Sequence, residues 1–430
     1  MKDPFKLREN NTNVRTEVIG GCTTFLTMAY IIIVNPMILS EAGMEKPALI
    51  TATCVAASLG TLLAGLWARV PFAMAPGMGL NAFFTYTLVM GQGLSWQTAL
   101  GVVFVSGVAF LALTLAGIRE KVVTAIPLSL RIATAAGIGL FITFIGLKNL
   151  GLVVDNAATL VSIGALTRPV LIGLGALFLI TILEILKVKG SILIGIFAAT
   201  AAGAIFGDVK LDTVWSAPPS LAPIAFQLDI IGALQWGLAG AIFSFMFVDL
   251  FDSIGTIVAC SYEAGHVEKD GSIRNVDKVL EADAVATIAG SLLGTSTTTT
   301  YIESASGIAD GARTGLASVV TGALFLLALF FAPLIGAVPA FATAPALIIV
   351  GVFMFRNIKE IDFSELKTAV PAFLTMILMP LTFSVATGLT VGFLSYIIIA
   401  VFCGDWKKVS PVMWGVGGLS AMNLVVAAAH

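Results

Sequence analysis

Histidine is nearly absent from this chain, and its scarcity excludes several kinds of chemistry. The only two histidines are His266, in a charged stretch, and His430, at the end of the sequence. A zinc site or a catalytic dyad based on histidine therefore cannot form inside the long apolar segments. No G-x-x-x-x-G-K sequence followed by Ser or Thr occurs either, which argues against an ATP-driven pump. We expect no enzyme, no metal ion and no other cofactor.

Cysteine is also rare, and the four cysteines lie in or beside apolar runs, where they behave as small apolar residues. They are Cys22, Cys54, Cys260 and Cys403. This placement indicates no disulfide framework.

Charged residues make up only 11% of the chain, whereas apolar residues make up 58% and the mean hydropathy is +1.01. A soluble globule of this composition could not cover its surface with polar groups. The chain is therefore predicted to be an integral membrane protein, with the lipid bilayer as its surroundings. The net charge of -2 averages over many loops and indicates no nucleic-acid partner.

Apolar runs of about 17 to 25 residues predict fourteen membrane spans in two series of seven. The first series lies near 17-40, 48-66, 71-90, 98-116, 130-148, 169-186 and 190-206. The second lies near 230-262, 282-296, 297-312, 316-335, 338-355, 368-384 and 386-403. Because seven is odd, the second series enters from the opposite side, which predicts an inverted repeat of the kind found in secondary transporters.

Basic residues predict the orientation of these spans. With the N-terminus in the cytoplasm, 19 of the 23 lysines and arginines lie on the cytoplasmic side. The four on the outer side are Lys46, Lys148, Arg168 and Lys210. Such a bias is typical of the positive-inside rule. We expect a multi-pass protein of the cell membrane with both termini in the cytoplasm.

The third span of each series has an interrupted pattern. In the first it reads Val70-Pro-Phe-Ala-Met-Ala-Pro-Gly-Met-Gly-Leu-Asn81, with prolines and glycines where a regular helix should run. In the second, Thr297-Thr-Thr-Thr-Tyr-Ile-Glu303 favours extended backbone. Each predicts a half-strand leading into a half-helix, starting near Gly79 and near Ser304. Paired breaks of this kind indicate a substrate site where the two half-helices converge.

Three acidic residues lie at membrane depth, where an ionisable group costs several kcal/mol unless it is used or paired. Asp249 and Asp252 belong to Phe247-Val-Asp-Leu-Phe-Asp252, and Glu303 ends the threonine run. The spacing of three places Asp249 and Asp252 on one side of a helix. The structural alternatives are a helix cap for Glu303 and packing contacts with a neighbouring helix for the two aspartates.

At these positions the chain resembles the AzgA-like purine permeases of the nucleobase:cation symporter-2 group. The resemblance runs from Arg15-Thr-Glu-Val-Ile-Gly-Gly-Cys-Thr-Thr-Phe-Leu-Thr-Met-Ala-Tyr30 through Ala75-Pro-Gly-Met-Gly-Leu-Asn-Ala-Phe-Phe84. It continues to Gly294-Thr-Ser-Thr-Thr-Thr-Thr-Tyr-Ile-Glu-Ser-Ala-Ser-Gly-Ile-Ala-Asp-Gly-Ala-Arg-Thr-Gly315.

The resemblance implies an all-α membrane fold of fourteen segments in two inverted sevens, with half-strands in segments 3 and 10. It implies a substrate-binding core of residues 16-116 plus 230-336 and a gate of 127-206 plus 338-404, followed by a cytoplasmic tail at 405-430. The core would move against the gate in an elevator-like alternating-access cycle. Proton-coupled uptake is part of the same expectation, and the sequence leaves open whether two copies form a homodimer.

Residue by residue, the resemblance implies that Asp252 and Glu303 face the base and that Asn81 lies in the site. A purine offers N–H donors to a carboxylate, so we expect Glu303 to grip the base. Asp252 would carry the coupled proton, with Asp249 sharing or replacing that role. Asn81 has the alternative of capping the half-helix.

Five further residues are candidates for base contact, each with a structural alternative. Thr300 belongs to a strand whose hydroxyls could satisfy one another, and the aromatic rings and Thr27 could simply pack. The five are Gly79, Thr300, Tyr301, Phe83 and Thr27. At the cytoplasmic end, Asp310 and Arg313 are expected to form an ion pair with each other.

The predicted function is proton-coupled uptake of purine nucleobases, with hypoxanthine and guanine ahead of adenine. Within the transporter class, the alternatives are a uracil or xanthine transporter and an anion exchanger of the same architecture. Outside it, the alternative is a channel lined by polar groups.

Overall fold

The computed structural model describes residues 4–117, 125–209, 213–235, 238–267 and 273–428, with the side chains of 408, 419 and 422–428 left aside. Several residues used in the predictions lie outside these ranges. They are Lys2, Arg119, Lys121, Lys210, Lys269 and His430.

The first half of the chain builds eight helices and three short strands. They are α1 (Val14–Met28), α2 (Ile31–Ser40), α3 (Lys46–Leu63), β1 (Met74–Pro76), α4 (Met78–Ala82), α5 (Trp96–Leu115), α6 (Leu128–Leu150), β2 (Val153–Asn156), β3 (Leu160–Ile163), α7 (Arg168–Ile185) and α8 (Ser191–Ile205). Single π-helical stretches extend α3 over Ala64–Ala68 and α4 over Phe83–Gly91.

The second half adds ten helices and one strand. They are α9 (Ile230–Ala233), α10 (Ala239–Ala264), α11 (Val276–Leu293), β4 (Thr298–Thr300), α12 (Ser304–Ala309), α13 (Gly315–Ala328), α14 (Ala332–Gly336), α15 (Ala340–Phe355), α16 (Leu366–Leu381), α17 (Val385–Phe402) and α18 (Pro411–Ala428).

Nine of the described helical segments are long and apolar enough to cross a membrane, and two shorter apolar helices, Ser191–Ile205 and Leu366–Leu381, accompany them. The predicted membrane fold is therefore confirmed. The count of fourteen spans stays a prediction, because the two interrupted segments combine a strand with a short helix.

Local sequence determines where several helices begin and end. Asn13, Ser95, Thr314 and Ser384 each accept a backbone N–H of the following first turn and so cap α1, α5, α13 and α17. At the other end of α11, Gly294 adopts φ +90°, a left-handed conformation that favours glycine. This turn directs the chain from α11 into the extended threonine run.

The predicted half-strands are confirmed, and they pair with each other. β1 and β4 run antiparallel in the register Met74↔Thr300, Ala75↔Thr299 and Pro76↔Thr298. Each strand leads directly into a short helix, α4 after β1 and α12 after β4. All six strand residues are buried, so this two-stranded ribbon lies inside the bundle.

The helices pack as two groups. In the strand-bearing group, α1, α3, α5, α10, α11, α12 and α13 contact one another around the ribbon. In the flanking group, α6, α7, α8, α15, α16 and α17 contact one another. The bundle end at which α1 begins is called the near face below, and the opposite end, which holds the β2–β3 hairpin, is called the far face.

Candidate functional site

Threonine hydroxyls hold the outer edges of the central ribbon. The backbone N–H of Met74 donates to Thr61 Oγ1 at 2.9 Å, and that hydroxyl donates to Met74 O at 3.0 Å. On the other strand, Thr298 N–H donates to Thr287 Oγ1 at 3.3 Å, and Thr287 donates to Thr298 O at 3.0 Å. Backbone groups that lipid could not satisfy are thus paired by α3 and α11.

Glu303 lies where β4 meets α12, and its side chain is half-buried. Its Oε1 accepts a hydrogen bond of 2.5 Å from the hydroxyl of Tyr30 on the adjacent first segment. Although Glu303 occupies the N-cap position of α12, its carboxylate makes no capping hydrogen bond. The helix-cap alternative is therefore wrong, and the carboxylate points toward α1 and the open space beside it.

Asp252 is exposed although it lies in the middle of the 26-residue helix α10. Gly255, Ala259 and Tyr262 are exposed on the same side of the helix, one or two turns closer to the near face. A carboxylate on this stripe is inexpensive only if water reaches it. The exposed stripe is therefore a candidate aqueous path from the near face to Asp252. The charges of Asp252 and Glu303 interact, which places the two carboxylates in one site.

Asp249 occupies a different environment from Asp252, because it is only 1% exposed. Its Oδ2 accepts from Thr287 at 3.3 Å, whereas its Oδ1 is buried without a hydrogen-bond partner. A separation of three residues places the two side chains about 60° apart around the helix, and their charges interact, in agreement with the expectation that they share one side. Asp249 is covered, whereas Asp252 is exposed and hydrogen-bonded to Thr299 of β4.

Asp283, on α11, forms a buried pair with Asp249, and the two charges interact. Asp283 is 0% exposed; its Oδ2 accepts from Ser253 at 2.7 Å and its Oδ1 from Thr300 at 3.2 Å. Asp283 also has a hydrogen bond with the backbone of Thr300. Burying two such charges together is unfavourable, so this pair is well suited to hold a proton.

Asn81 is fully buried and lies inside α4 rather than at its start, which Gly77 caps. Its Oδ1 accepts from the hydroxyl of Ser296, and its Nδ2 is buried without a partner. The capping alternative is therefore wrong. The hydrogen bond with Ser296 links α4 to the segment that precedes β4.

Three other candidate residues have contacts that hold the fold. Phe83 is buried and stacks on Phe245 with ring centroids 4.7 Å apart. Tyr301 donates to Pro76 O at 2.6 Å, and Thr300 donates to Asp283, so both link β4 to neighbouring elements. In β4, Thr300 thus bonds to Asp283 and Thr299 to Asp252, whereas Thr298 Oγ1 is buried without a hydrogen-bond partner.

Gly79 and Thr27 are both half-exposed. A Cβ on Gly79 would lie 2.5 Å from Ile138 Cγ2 of α6, so only glycine allows the two helix groups to approach so closely here. Thr27 Oγ1 donates to Thr24 O at 2.9 Å and lies 3.4 Å from Glu303 O.

Asp283 and the contact of Tyr30 with Glu303 escaped the sequence prediction. Asp283 has a detectable signal, because it is an acidic residue inside the predicted span 282-296. The sequence carries no signal for the contact of Tyr30 with Glu303, since the two residues are 273 positions apart. Within the described residues, no cluster of three or more His, Cys, Asp or Glu side chains is placed to hold a metal ion.

Charged residues connect the two helix groups at the near face. Asp310, at the end of α12, pairs with Lys189 of the flanking group and accepts from Thr23 at 2.6 Å. Arg313 instead donates to the carbonyl oxygens of Ile308 and Ala312, so the predicted Asp310–Arg313 ion pair is wrong. Both residues lie at a chain reversal that turns their side chains in different directions.

A second near-face contact joins Arg131 of α6 to Phe251 of α10. The guanidinium carbon lies 5.9 Å from the centre of the ring, and Arg131 Nε is buried without a hydrogen-bond partner. Phe251 precedes Asp252, so a cation of the flanking group lies beside the entrance of the candidate aqueous path.

Aromatic rings join the groups at the far face. Tyr86, which follows α4, lies 6.3 Å from Phe141 and 6.4 Å from Phe383, measured between ring centroids. Phe141 and Phe144 lie 5.9 Å and 5.3 Å from Phe383. Thr87 Oγ1 also donates to Phe383 O at 3.0 Å. These contacts close the far side of the boundary between the groups.

Comparison with known proteins places this architecture among transporters. A model described as "Permease family" matches residues 15–391. A putative permease of Methanocaldococcus jannaschii is 51% identical over 423 residues, 98% of this chain and 97% of that protein. The adenine permease AdeQ of Escherichia coli K12 is 44% identical over 98% of this chain and 95% of its own length.

The guanine/hypoxanthine permease PbuG of Bacillus subtilis 168 is 46% identical, with 96% of this chain and 97% of that protein covered. Among solved structures, the transmembrane domain of the cyanobacterial bicarbonate transporter BicA has a TM-score of 0.69 at 17% identity, covering 87% of this chain and 97% of that domain. That likeness shows the same fold.

Proposed function

Because this chain belongs to the permease family, as its resemblance to the nucleobase:cation symporter-2 group predicted, we propose that it takes up purine nucleobases together with protons. Two of the relatives named above support this proposal, since they are named as permeases of adenine and of guanine and hypoxanthine. Hypoxanthine and guanine are the proposed substrates, with adenine as the alternative.

The observation that carries the proposal is the location of Glu303 and Asp252 at the β1–β4 ribbon: Glu303 follows β4 and Asp252 is hydrogen-bonded to Thr299 of β4. A purine placed here would donate ring N–H groups to the Glu303 carboxylate. The first-turn N–H groups of α4, which have no acceptor within the helix, would meet a base carbonyl.

Tyr30 would tune Glu303 in this site. Its hydroxyl already donates to Oε1 at 2.5 Å, so that oxygen is oriented and the other remains for the base. Gly79 and Thr27 would border the same site, whereas Asn81, Phe83, Thr300 and Tyr301 would act by shaping the broken segments. This division follows from which side chains are exposed and which are already paired.

Asp252 would load and release the coupled proton. It lies on the candidate aqueous path, so a proton could reach it, and a neutral Asp252 would remove repulsion from the nearby Glu303 carboxylate. Behind it, the buried pair of Asp249 and Asp283 would hold a further proton that does not exchange during transport. Asp252 rather than Asp249 is therefore the proposed coupling residue.

The strand-bearing group corresponds to the proposed core and the flanking group to the proposed gate. With the near face in the cytoplasm, the exposed stripe of α10 and the aromatic contacts at the far face would correspond to an inward-facing state. Movement of the core relative to the gate would open the far side and close the near side.

Uptake of radiolabelled hypoxanthine, guanine, adenine and uracil into cells lacking their own base permeases would test the proposal, with and without a protonophore. We expect accumulation of purines that the protonophore abolishes and that Glu303→Gln loses. The control is Glu360→Gln, which removes an exposed carboxylate at the near face and should transport normally.

Flux that only follows the base's own gradient would support a channel instead. Accumulation of uracil without purines would contradict the proposed substrate class, and normal purine uptake by Glu303→Gln would contradict the proposed site.

A further inference from the structure

The last helix of the chain lies within the bundle. Residues 405-430 were expected to form a cytoplasmic tail, yet Pro411–Ala428 forms an 18-residue helix, α18, that packs along α17 and also contacts α10. Met413 is 0% exposed and Val416 is 3% exposed, so one side of the helix is fully covered.

The contacts of α18 show its direction. Gly417 lies against Ile397, since a Cβ at position 417 would be 2.3 Å from Ile397 Cδ1. Three residues later, Ser420 lines a small cavity together with Thr390 and Phe393. Because α17 runs from the far face to the near face, a helix that meets position 397 before position 390 runs back toward the far face.

The length and composition of α18 match a complete crossing. Eighteen helical residues advance about 27 Å, close to the roughly 30 Å of a hydrocarbon core. The sequence from Pro411 to Ala428 contains no Asp, Glu, Lys or Arg. After Ser420, eight residues of helix remain, which add about 12 Å in the same direction.

We infer that α18 is an additional membrane span that starts at the near face and brings residue 428 to the far face. The expectation of a cytoplasmic C-terminal segment is thereby replaced. The near face is still the cytoplasmic one, because the basic residues that determine orientation precede α18.

The position of α18 brings it into contact with both helix groups. Its Ser420 meets Phe243 and Ser244 of α10, in the strand-bearing group, as well as Leu389 and Thr390 of α17, in the flanking group. The cavity between these residues holds about 10 Å³, roughly the space of one water molecule. The hydroxyls of Ser244, Thr390 and Ser420 could bind that water. α18 therefore covers the seam between the two groups against lipid.

Cysteine labelling in the full chain tests the topology. We would replace Cys22, Cys54, Cys260 and Cys403, introduce Ala428→Cys, and treat intact cells with a membrane-impermeant maleimide. We expect labelling of position 428 without permeabilisation. The control retains Cys403 alone, which is exposed at the near face and should label only after permeabilisation. Labelling of position 428 only in permeabilised cells would overturn the span.

Crosslinking tests the covering of the seam. In the same cysteine-free chain, the double variant Ser244→Cys and Ser420→Cys should form a disulfide when an oxidant is added. The disulfide would be detected because it holds the two fragments together after cleavage at a protease site inserted between residues 403 and 410. The control pair, Ser244→Cys with Ser410→Cys, should stay uncrosslinked because Ser410 lies at the near face. Absence of a crosslink in a variant that still folds as a monodisperse protein would overturn the seam contact. Neither readout depends on which substrate the protein carries.

Discussion

The far and near halves of the boundary between the two helix groups are built from different chemistry. At the far half, Tyr86, Phe141 and Phe383 pack as aromatic rings. At the near half, Lys189 pairs with Asp310 and Arg131 lies over Phe251, while Asp252 remains open to water. Packed aromatic rings close the far half of the boundary, whereas charged side chains join the two groups at the near half.

This difference explains why the structure is closed at the far face. Truncating a buried aromatic side chain typically costs about 3–5 kcal/mol. An exposed ion pair contributes only about 0–1 kcal/mol, and Lys189 and Asp310 retain side-chain exposures of 49% and 21%. The aromatic contacts therefore dominate, and the near half can open without a large loss of free energy.

The largest expected effect comes from removing the titratable group at the near half. Asp252→Asn should abolish proton-driven accumulation while keeping exchange of external for internal purine, because the site remains but its proton carrier is lost. Uptake and counterflow of labelled hypoxanthine would measure both. Asp249→Asn is the comparison, and it should retain more accumulation, since Asp249 is buried behind the ribbon. Uphill uptake by Asp252→Asn would refute the assignment.

Phe141→Ala would remove the aromatic contacts that Phe141 makes at the far half of the boundary. The ring is 0% exposed and contacts both Tyr86 and Phe383, so we expect a loss of about 3–5 kcal/mol and a shift toward far-face opening. Thermal unfolding in detergent and maleimide labelling of a cysteine at position 86 would report the two effects. Phe178→Ala, at a ring that is 64% exposed, should change neither. Unchanged labelling at position 86 would argue against an aromatic seal.

A smaller effect is expected at the near-face ion pair. Lys189→Ala and Asp310→Asn should each lower stability by about 0–1 kcal/mol, with a coupling energy of similar size in a double-mutant cycle. Thermal unfolding of the two single variants and the double variant would give that energy. Thr23→Val, which removes the other donor to Asp310, separates the hydroxyl contact from the ionic one. A coupling well above this range would mean that charges hold the near half as firmly as rings hold the far half.

The smallest expected effect is a pH dependence at the near face. His266 is 5% exposed, and burial lowers its pKa below the usual value of about 6.5. The unfolded chain therefore binds the proton first, so stability is unaffected above about pH 6.5 and falls as the pH drops below it. Melting temperatures measured between about pH 5 and pH 8, the range in which histidine titrates, would show how the stability depends on pH.

His266→Gln is the matched variant for this titration. Glutamine can keep the donor that His266 Nε2 offers to Arg313 O at 3.0 Å, but it does not titrate. The variant should therefore lose the part of the slope that belongs to His266. An identical slope in both proteins would assign the titration to other groups.

Much of the candidate site was predictable because its backbone breaks are local. Two prolines and two glycines near Pro76, together with four consecutive threonines ending at Thr300, exclude a regular helix at those positions. The acidic residues Asp252 and Glu303 are conspicuous because placing a charged side chain within the lipid bilayer costs free energy. These signals need no knowledge of distant contacts.

The parts that could not be predicted depend on which distant residues meet. The hydrogen bond from Tyr30 to Glu303, the buried pair of Asp249 and Asp283, and the pairing of Lys189 with Asp310 all join separate segments. Spacing within one helix could not show that Asp249 is covered and Asp252 open. That difference arises because α11 packs against one side of α10 and not the other.

The sequence by itself determined that this chain is a membrane protein with two broken spans and acidic residues beside them, because hydropathy, helix breaking and the cost of a charge in lipid are local properties. Only the tertiary structure decided which carboxylate reaches water, which face is closed and where the last helix lies. Those outcomes depend on packing between segments that are far apart in the chain, and local sequence carries no measure of that packing.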